Sequence, residues 1–352
     1  MSEELGLLDA RMEQAGLLRA GRRTGAVRLP SPQEARADEL AASKVDAPRL
    51  KAAENGVVLL AAPGLQKLKW LWHGFSTRNG GLSRVYAGGE AEGDLNLGFT
   101  AEDDVALVAA NRKLLADAVT GSAETPLATI RQIHSNILVR VDLGSAGEKP
   151  SKADGLMTDE PGLLLAVMTA DCIPVLVADR KKRAVAAFHA GWRGTVKRIV
   201  EAGIGRMRLE FGSRPEDLVA AIGPGIGQCC YAVGDEVLAE FESQFEYGRE
   251  LFVEVDETDP VRARFVMMFL NQRAPGHGPK EIRLHLDLVE ANRRQLLAAG
   301  LKPSAIEIAG GCTSCQPKLF FSHRALGGHA GRMMSAIGIR PGGARKNHKD
   351  DK

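Results

Sequence analysis

Between residues 162 and 178 the chain is apolar almost without interruption, and Asp171 and Pro174 break the run. A membrane-spanning helix needs roughly 20 consecutive apolar residues, more than this stretch supplies. Asp171 and Pro174 divide it into two strand-length pieces, 163–169 and 174–179, which read as a buried strand, a turn and a second buried strand. The chain is thereby committed to a packed core. Its 352 residues are enough to build a sizeable one, and 44% hydrophobic with 26% charged residues is globular rather than disordered composition. With 39 glycines and only 5% aromatic residues, tight turns should be many and large packing anchors few.

Further strands are expected at 57–61, 127–130, 137–141, 184–189, 218–222 and 306–309. Residues 68–76 are mostly apolar and aromatic, and Asn79-Gly80-Gly81 then marks a turn. Apolar residues at helical spacing predict helices over 103–115, 196–211, 233–241 and 286–299, the last stopped by Gly300. Residues 332–337 read as a closing strand or helix. Residues 242–280 are polar and irregular and read as a surface excursion. Strands and helices mix without strict alternation, which favours an α/β or α+β fold: a single domain with a mixed β-sheet flanked by helices. That domain should span residues 51–340. Residues 1–50, rich in Arg, Glu and Ala and without aromatics, read as a peripheral or partly disordered extension. Residues 341–352 form a charged tail.

The formal net charge of +2 removes the general electrostatic argument for nucleic-acid binding. Five cysteines, an odd and sparse set, argue against a disulfide framework and for a reducing compartment. The beginning Met-Ser-Glu-Glu has neither the basic nor the apolar region of a secretory signal. The expected address is the cytoplasm, with no membrane partner.

Three polar residues stand near the ends of apolar, strand-like runs: His134, Cys172 and His189. Two imidazoles and a thiolate can hold one zinc with a fourth position left open, the pattern of a catalytic centre. Their separations are not those of short-loop metal sites, so position is the better argument. The same residues allow a second reading, in which Cys172 is a nucleophile, His189 its base and a third group, such as Asp171, orients the ring. The sequence does not choose between thiolate as ligand and thiolate as nucleophile. Gly223-Pro224-Gly225-Ile226-Gly227 follows an expected strand and offers backbone N–H groups to an anion, or is simply a turn. Arg78 and Arg193, in glycine-bearing loops, are candidate clamps for phosphate or carboxylate. Cys312 and Cys315 form one Cys-x-x-Cys, for which a structural zinc would need two more ligands, with His323 and His329 the near candidates. Cys229 and Cys230 read as reduced and packed.

Taken in order, the motifs coincide with those of a known family. They are His73-Gly74-Phe75-Ser76-Thr77-Arg78 with Gly80-Gly81, Asn96-Leu97-Gly98, Asn111-Arg112, Gln132-Ile133-His134, and Thr169-Ala170-Asp171-Cys172 with Pro174. They continue through His189-Ala190-Gly191-Trp192-Arg193-Gly194, Ile222-Gly223-Pro224, Cys229-Cys230-Tyr231, His285-Leu286-Asp287-Leu288, Cys312-Thr313, Phe320-Phe321-Ser322-His323-Arg324 and Gly331-Arg332. The chain resembles the polyphenol oxidase or laccase-domain family, whose members have been re-described as purine nucleoside phosphorylases. The likeness runs from about Val57 to about Gly338. Where family members often carry two arginines after Phe-Phe-Ser-x, this chain has Arg324-Ala325.

The resemblance implies a single α/β domain with a mixed sheet, related to cysteine-hydrolase-like toxin deamidases. It implies a zinc held by His134, Cys172 and His189, with copper as the alternative metal. The implied activity is phosphorolysis of adenosine, inosine and methylthioadenosine, together with adenosine deamination, so the expected partners are purine nucleosides and phosphate. Arg78 and Arg193 are the candidates for the phosphate. Three alternatives stay open: a zinc- or Cys-dependent amidohydrolase acting on a peptide or cell-wall precursor, a copper-dependent polyphenol oxidase, and a non-catalytic relative that keeps the fold.

Overall fold

The computed structural model describes residues 49–86, 93–145, 149–256 and 282–342. Most of the expected extension, most of the charged tail and residues 257–280 of the excursion lie outside the described residues. The chain forms two units. One comprises residues 1–29 and 253–283, of which 253–256 and 282–283 are described and belong to strands. The other comprises 30–252 and 284–352 and holds both large sheets and the cysteine and histidine clusters described below.

Two six-stranded sheets form the frame. The first runs, in spatial order, β1 (Arg49–Ala52), β2 (Val58–Ala61), β3 (Leu71–Ser76), β17 (Met333–Ile339), β9 (Leu164–Thr169) and β6 (Leu127–Ala128). The second runs β16 (Ile306–Ile308), β12 (Leu218–Ile222), β10 (Ile173–Asp179), β11 (Val185–Ala190), β8 (Gly155–Thr158) and β7 (Leu138–Arg140). Most pairs are antiparallel, while β6 with β9, β7 with β8 and β12 with β16 are parallel. Smaller pairings join β4 (Asn79–Gly81) to β5 (Gly93–Asp94), and β13 (Ala232–Val233) to β15 (Ile282–Leu286) through Ala232–His285 and Val233–Leu284. β14 (Phe252–Asp256) completes the strands among the described residues.

The long apolar run supplies β9 to one sheet and β10 to the other. Side chains alternate in a strand, and both faces of these strands are covered. Ile173, Val175 and Val177 enter one core with Phe188, and Leu176 and Ala178 enter another with Leu165, Val167, Phe75 and Ile337 of the first sheet. The two sheets therefore pack face to face. On the far side of the second sheet lie α4 (Ile199–Phe211) and α6 (Leu288–Ala298), through Ile199, Val200, Ile204 and Leu296. On the far side of the first lies α2 (Val105–Thr120), whose Leu115 joins Leu59, Trp72 and Leu164. The order is helix, sheet, sheet, helix. Each fully buried Val, Leu or Ile contributes roughly 1.5–3 kcal/mol against exposure, and this is why the run has no polar face. The expected single mixed sheet is thus two. An uninterrupted apolar strand says that both faces are covered, not whether a helix or another sheet covers them.

The helices follow their local signals with one exception. Asp104 caps α2, its carboxylate accepting from the N–H of Ala106 at 2.6 Å, and Gly121 ends it at φ +85°. α1 (Pro63–Gln66) begins with its proline, and α5 (Asp235–Gln244) follows β13. The helix expected over 196–211 is instead α3 (Trp192–Val196) and α4, parted at Lys197 and Arg198, where Arg198 is left-handed at φ +58°. The early part of the expected excursion is structured: Phe245, Leu251 and Phe252 are buried in the core. No helix among the described residues is long and apolar enough to cross a membrane.

Candidate metal centre

The register of the second sheet brings four chain segments to one end of it. Ile173 pairs with Ala190, Phe188 with Gly155, and Gly155 with Leu138. Cys172 just before β10, His189 near the end of β11, Asp154 just before β8 and the loop 132–137 before β7 therefore meet at that end. The ligand atoms of His134, Cys172 and His189 all lie within 4.8 Å of one another. Cys172 Sγ is 3.9 Å from His134 Nε2, and the two imidazoles stand edge to face with centroids 5.0 Å apart. His189 is buried, Cys172 half-buried and His134 exposed.

Asp154 organises this arrangement. Its side chain is wholly buried and accepts from His189 Nδ1 at 2.9 Å. The loop wraps around the same carboxylate: the N–H of Ile133 donates at 3.2 Å, that of His134 at 3.0 Å and that of Ser135 at 2.6 Å, and the Ser135 hydroxyl at 2.7 Å. These bonds hold His134 in its left-handed conformation, φ +57°. They also fix the His189 tautomer, leaving Nε2 toward the thiol. Burial would raise the Asp154 pKa, but the hydrogen bonds from His189 and Ser135 outweigh it and hold the carboxyl well below the usual range. Burial would lower the His189 pKa, but the charge of Cys172 and the bond to Asp154 raise it to about 9. For Cys172, burial is overcome by the positive charge of His189 and the hydrogen bond of His134, and its pKa falls to about 6. Two imidazoles and a readily ionised thiol, converging with one ring oriented by a buried carboxylate, fit the donor set of a zinc ion. The same N2S set also accepts copper.

The backbone is shaped to this cluster. A Cβ on Gly191 would stand 2.9 Å from both Cys172 Sγ and His134 Cδ2, so only glycine lets the chain pass so closely. Asp171 is left-handed at φ +92°. Its carboxylate accepts from the Thr313 hydroxyl at 2.6 Å and from the Arg324 N–H at 2.7 Å, and its carbonyl accepts from the Ile226 N–H at 2.8 Å. Asp171 therefore braces the turn before Cys172, and the group that orients His189 is Asp154. Tyr231 senses the site as well: burial, with the Cys172 charge next, raises its pKa.

The two arginines have different surroundings. Arg78 pairs bidentately with Asp94 at 2.8 and 2.6 Å, donates to the carbonyls of Tyr86 and Pro317, and lies over the Phe321 ring. A phosphate there would have to displace a carboxylate. Arg193 is exposed and stacks on Trp192 at 4.3 Å, and it has no carboxylate partner among the described residues. The glycine loop 223–227 is tied down by backbone bonds, Gly223 N–H to Pro174 and Ile226 N–H to Asp171, and so serves as a packed turn. His329 is exposed, its Nδ1 3.9 Å from Glu102, and neither it nor His323 joins the metal-ligating groups among the described residues. The notable omission from the sequence reading is Asp154.

A family model described as multi-copper polyphenol oxidoreductase laccase matches residues 72–340. A purine nucleoside phosphorylase of Bacteroides thetaiotaomicron is 34% identical over 289 residues, 80% of this chain and 96% of that protein. An adenosine deaminase, RL5, from an unknown prokaryotic organism is 36% identical over 184 residues, 52% of this chain and 61% of that protein. Among solved structures, YlmD from Geobacillus stearothermophilus superposes with a TM-score of 0.65 at 31% identity, covering 83% of this chain and 99% of that one.

Proposed function

The chain belongs to the multi-copper polyphenol oxidoreductase laccase family, and on that footing we propose that it is a zinc-dependent purine nucleoside phosphorylase. Its substrates would be adenosine, inosine and methylthioadenosine with phosphate, and adenosine deamination its second activity. The observation that carries this reading is the convergence of His134, Cys172 and His189 around one point, with His189 held by Asp154. Three protein ligands leave one position of a tetrahedral ion for water or substrate. Bound there, zinc supplies Lewis acidity and makes water nucleophilic near neutral pH. A cytoplasmic address fits five thiols that form no disulfide.

The chain's own residues do the positioning. Asp154 keeps a proton on His189 Nδ1 and so keeps Nε2 as the ligating atom. Arg193, four residues after His189 and stacked on Trp192, can hold two phosphate oxygens in its planar fork. In phosphorolysis a phosphate oxygen bonds to C1′ while the C1′–N9 bond breaks; the electron pair leaves with the purine, which takes up a proton. Holding phosphate in line with C1′ is where an arginine contributes. In deamination water adds at C6 and ammonia leaves, so no phosphate is needed. Arg193→Lys should therefore raise the phosphate concentration needed for inosine cleavage several-fold and affect adenosine deamination less. An equal loss in both would discard the phosphate role. The primary assay is product analysis of inosine, adenosine and methylthioadenosine with and without phosphate, on protein whose zinc and copper contents are known. Zinc-loaded protein that leaves all three nucleosides intact would overturn the reading, and copper-dependent oxidation of a phenol by the same sample would replace it.

One observation favours a second reading. Cys172, with its lowered pKa, stands beside His189, which is oriented by Asp154, and this is a nucleophile, a base and an orienting acid. It would serve an amidohydrolase acting on a peptide or cell-wall precursor. Amide hydrolysis by metal-free protein, absent with nucleosides, would select it.

A further inference from the structure

Four of the five cysteines gather away from the triad. Cys229 and Cys230 lie in the loop after β12, in a turn closed by the Cys230 N–H to the Gly227 carbonyl at 3.0 Å. Adjacent side chains diverge in extended chain; a turn allows them to converge. Cys312 and Cys315 lie in the loop after β16, the parallel neighbour of β12. The two loops are laced together by a bridge between Gly225 and Cys312 and by the Thr313 N–H to the Gly225 carbonyl at 2.9 Å. Cys315 Sγ is 3.5 Å from Cys229 Sγ and 3.4 Å from Cys230 Sγ, and all four sulfurs lie within 4.8 Å of one another. Cys312 is buried, the other three are half-buried, and none is in a disulfide. A disulfide would need about 2.05 Å between sulfurs. Four sulfurs about 2.3 Å from one tetrahedral zinc stand roughly 3.8 Å apart, close to the spacings seen.

We propose that Cys229, Cys230, Cys312 and Cys315 bind a second zinc ion in a closed structural site. The ligands that the sequence reading looked for in His323 and His329 are supplied instead by the loop after β12. Four thiolates leave no position for water or substrate, so this ion performs no chemistry of its own. Its task follows from what the two loops hold. Thr313, next to Cys312, donates to the Asp171 carboxylate, and Ile226 donates to the Asp171 carbonyl. Asp171 is the left-handed residue before the triad ligand Cys172. An ion joining the loops therefore pins the turn that presents Cys172, and it does so whatever reaction the triad performs.

The test is metal counting on full-length protein purified with zinc supplied. The wild type should hold two zinc ions per chain, and Cys315→Ser and Cys172→Ala one each. Cobalt substituted into Cys172→Ala should show the strong sulfur-to-metal charge-transfer absorption of a tetrahedral four-thiolate site. If Cys315→Ser fails to fold, zinc release from Cys172→Ala by an organomercurial, one ion for four thiols titrated, reads the same site. Cys172→Ala with no metal, or with iron in place of zinc, would overturn the assignment. So would a Cys230–Cys315 disulfide found by mass spectrometry after non-reducing alkylation, or Cys315→Ser keeping both ions.

Discussion

Asp154 accepts from five donors, three backbone N–H groups, a hydroxyl and an imidazole. Asp154→Asn keeps the shape but turns one acceptor into a donor facing other donors. Triad zinc should bind about 10–100-fold more weakly, and stability should fall by about 1–3 kcal/mol. Competition with a chelator and denaturant unfolding measure the two, and unchanged zinc affinity would show that the carboxylate does not set the ring. Titration follows from the same contacts in metal-free protein. The His189 pKa is raised to about 9, so its contribution is full below about 6.5 and is lost as pH rises through 9. The Cys172 pKa is lowered to about 6, so its contribution is lost as pH falls through 6. The pair is most stabilising between these values. Alkylation of Cys172 by iodoacetamide should accordingly rise with a midpoint near pH 6; a midpoint near that of a free thiol would refute the ion pair. The three residues of the cluster were legible because each is polar in apolar surroundings. Asp154 was not, because Asp154-Gly155 reads as a turn, although Ala153 before it and Leu156-Met157 after it mark a buried segment.

Among the elements, α4 and β11 meet at one close approach. Gly203 of α4 lies against Phe188 of β11, and a Cβ there would overlap the ring. Alanine is the better helix former by roughly 1 kcal/mol, but overlap in a packed core costs about 1–3 kcal/mol. Gly203→Ala should therefore lower the melting temperature, and a neutral or higher value would mean that the core yields more easily than its packing indicates. Because Phe188 precedes His189, weaker zinc binding should accompany the loss. Most strands and helices were readable from apolar period, as the period over 103–115 shows for α2, although that helix runs on to Thr120 before Gly121 ends it. β8 was missed because Asp154-Gly155 at its start reads as a turn. The break between α3 and α4 was missed because no glycine or proline marks it; Arg198 takes the left-handed conformation instead.

At the scale of the molecule, the family match begins at residue 72 and the triad is drawn wholly from later residues. If the proposed function holds, a chain starting at Arg49, the first residue of β1, should bind zinc and cleave nucleosides as well as the full-length chain does. Loss of activity with metal and fold intact would show that the preceding residues take part in the site. The mixed class of the fold was legible from the interleaving of strand and helix signals. The pairing of two sheets was not, because Leu165 and Leu176 look alike in sequence whether they meet a helix or each other. One strand order carries a consequence for the making of the chain. β17 is the last strand in the sequence among the described residues, yet it lies between β3 and β9 in the middle of the first sheet. While the ribosome is still at work, β3 and β9 each present an unpaired edge, and the space between the sheets lacks Ile337 and Ile339. Open edges beside exposed apolar surface invite pairing with other chains. The nascent polypeptide, far more than the folded chain, is thus the form at risk of aggregating, and the sheet closes in one late event when residues 333–339 emerge.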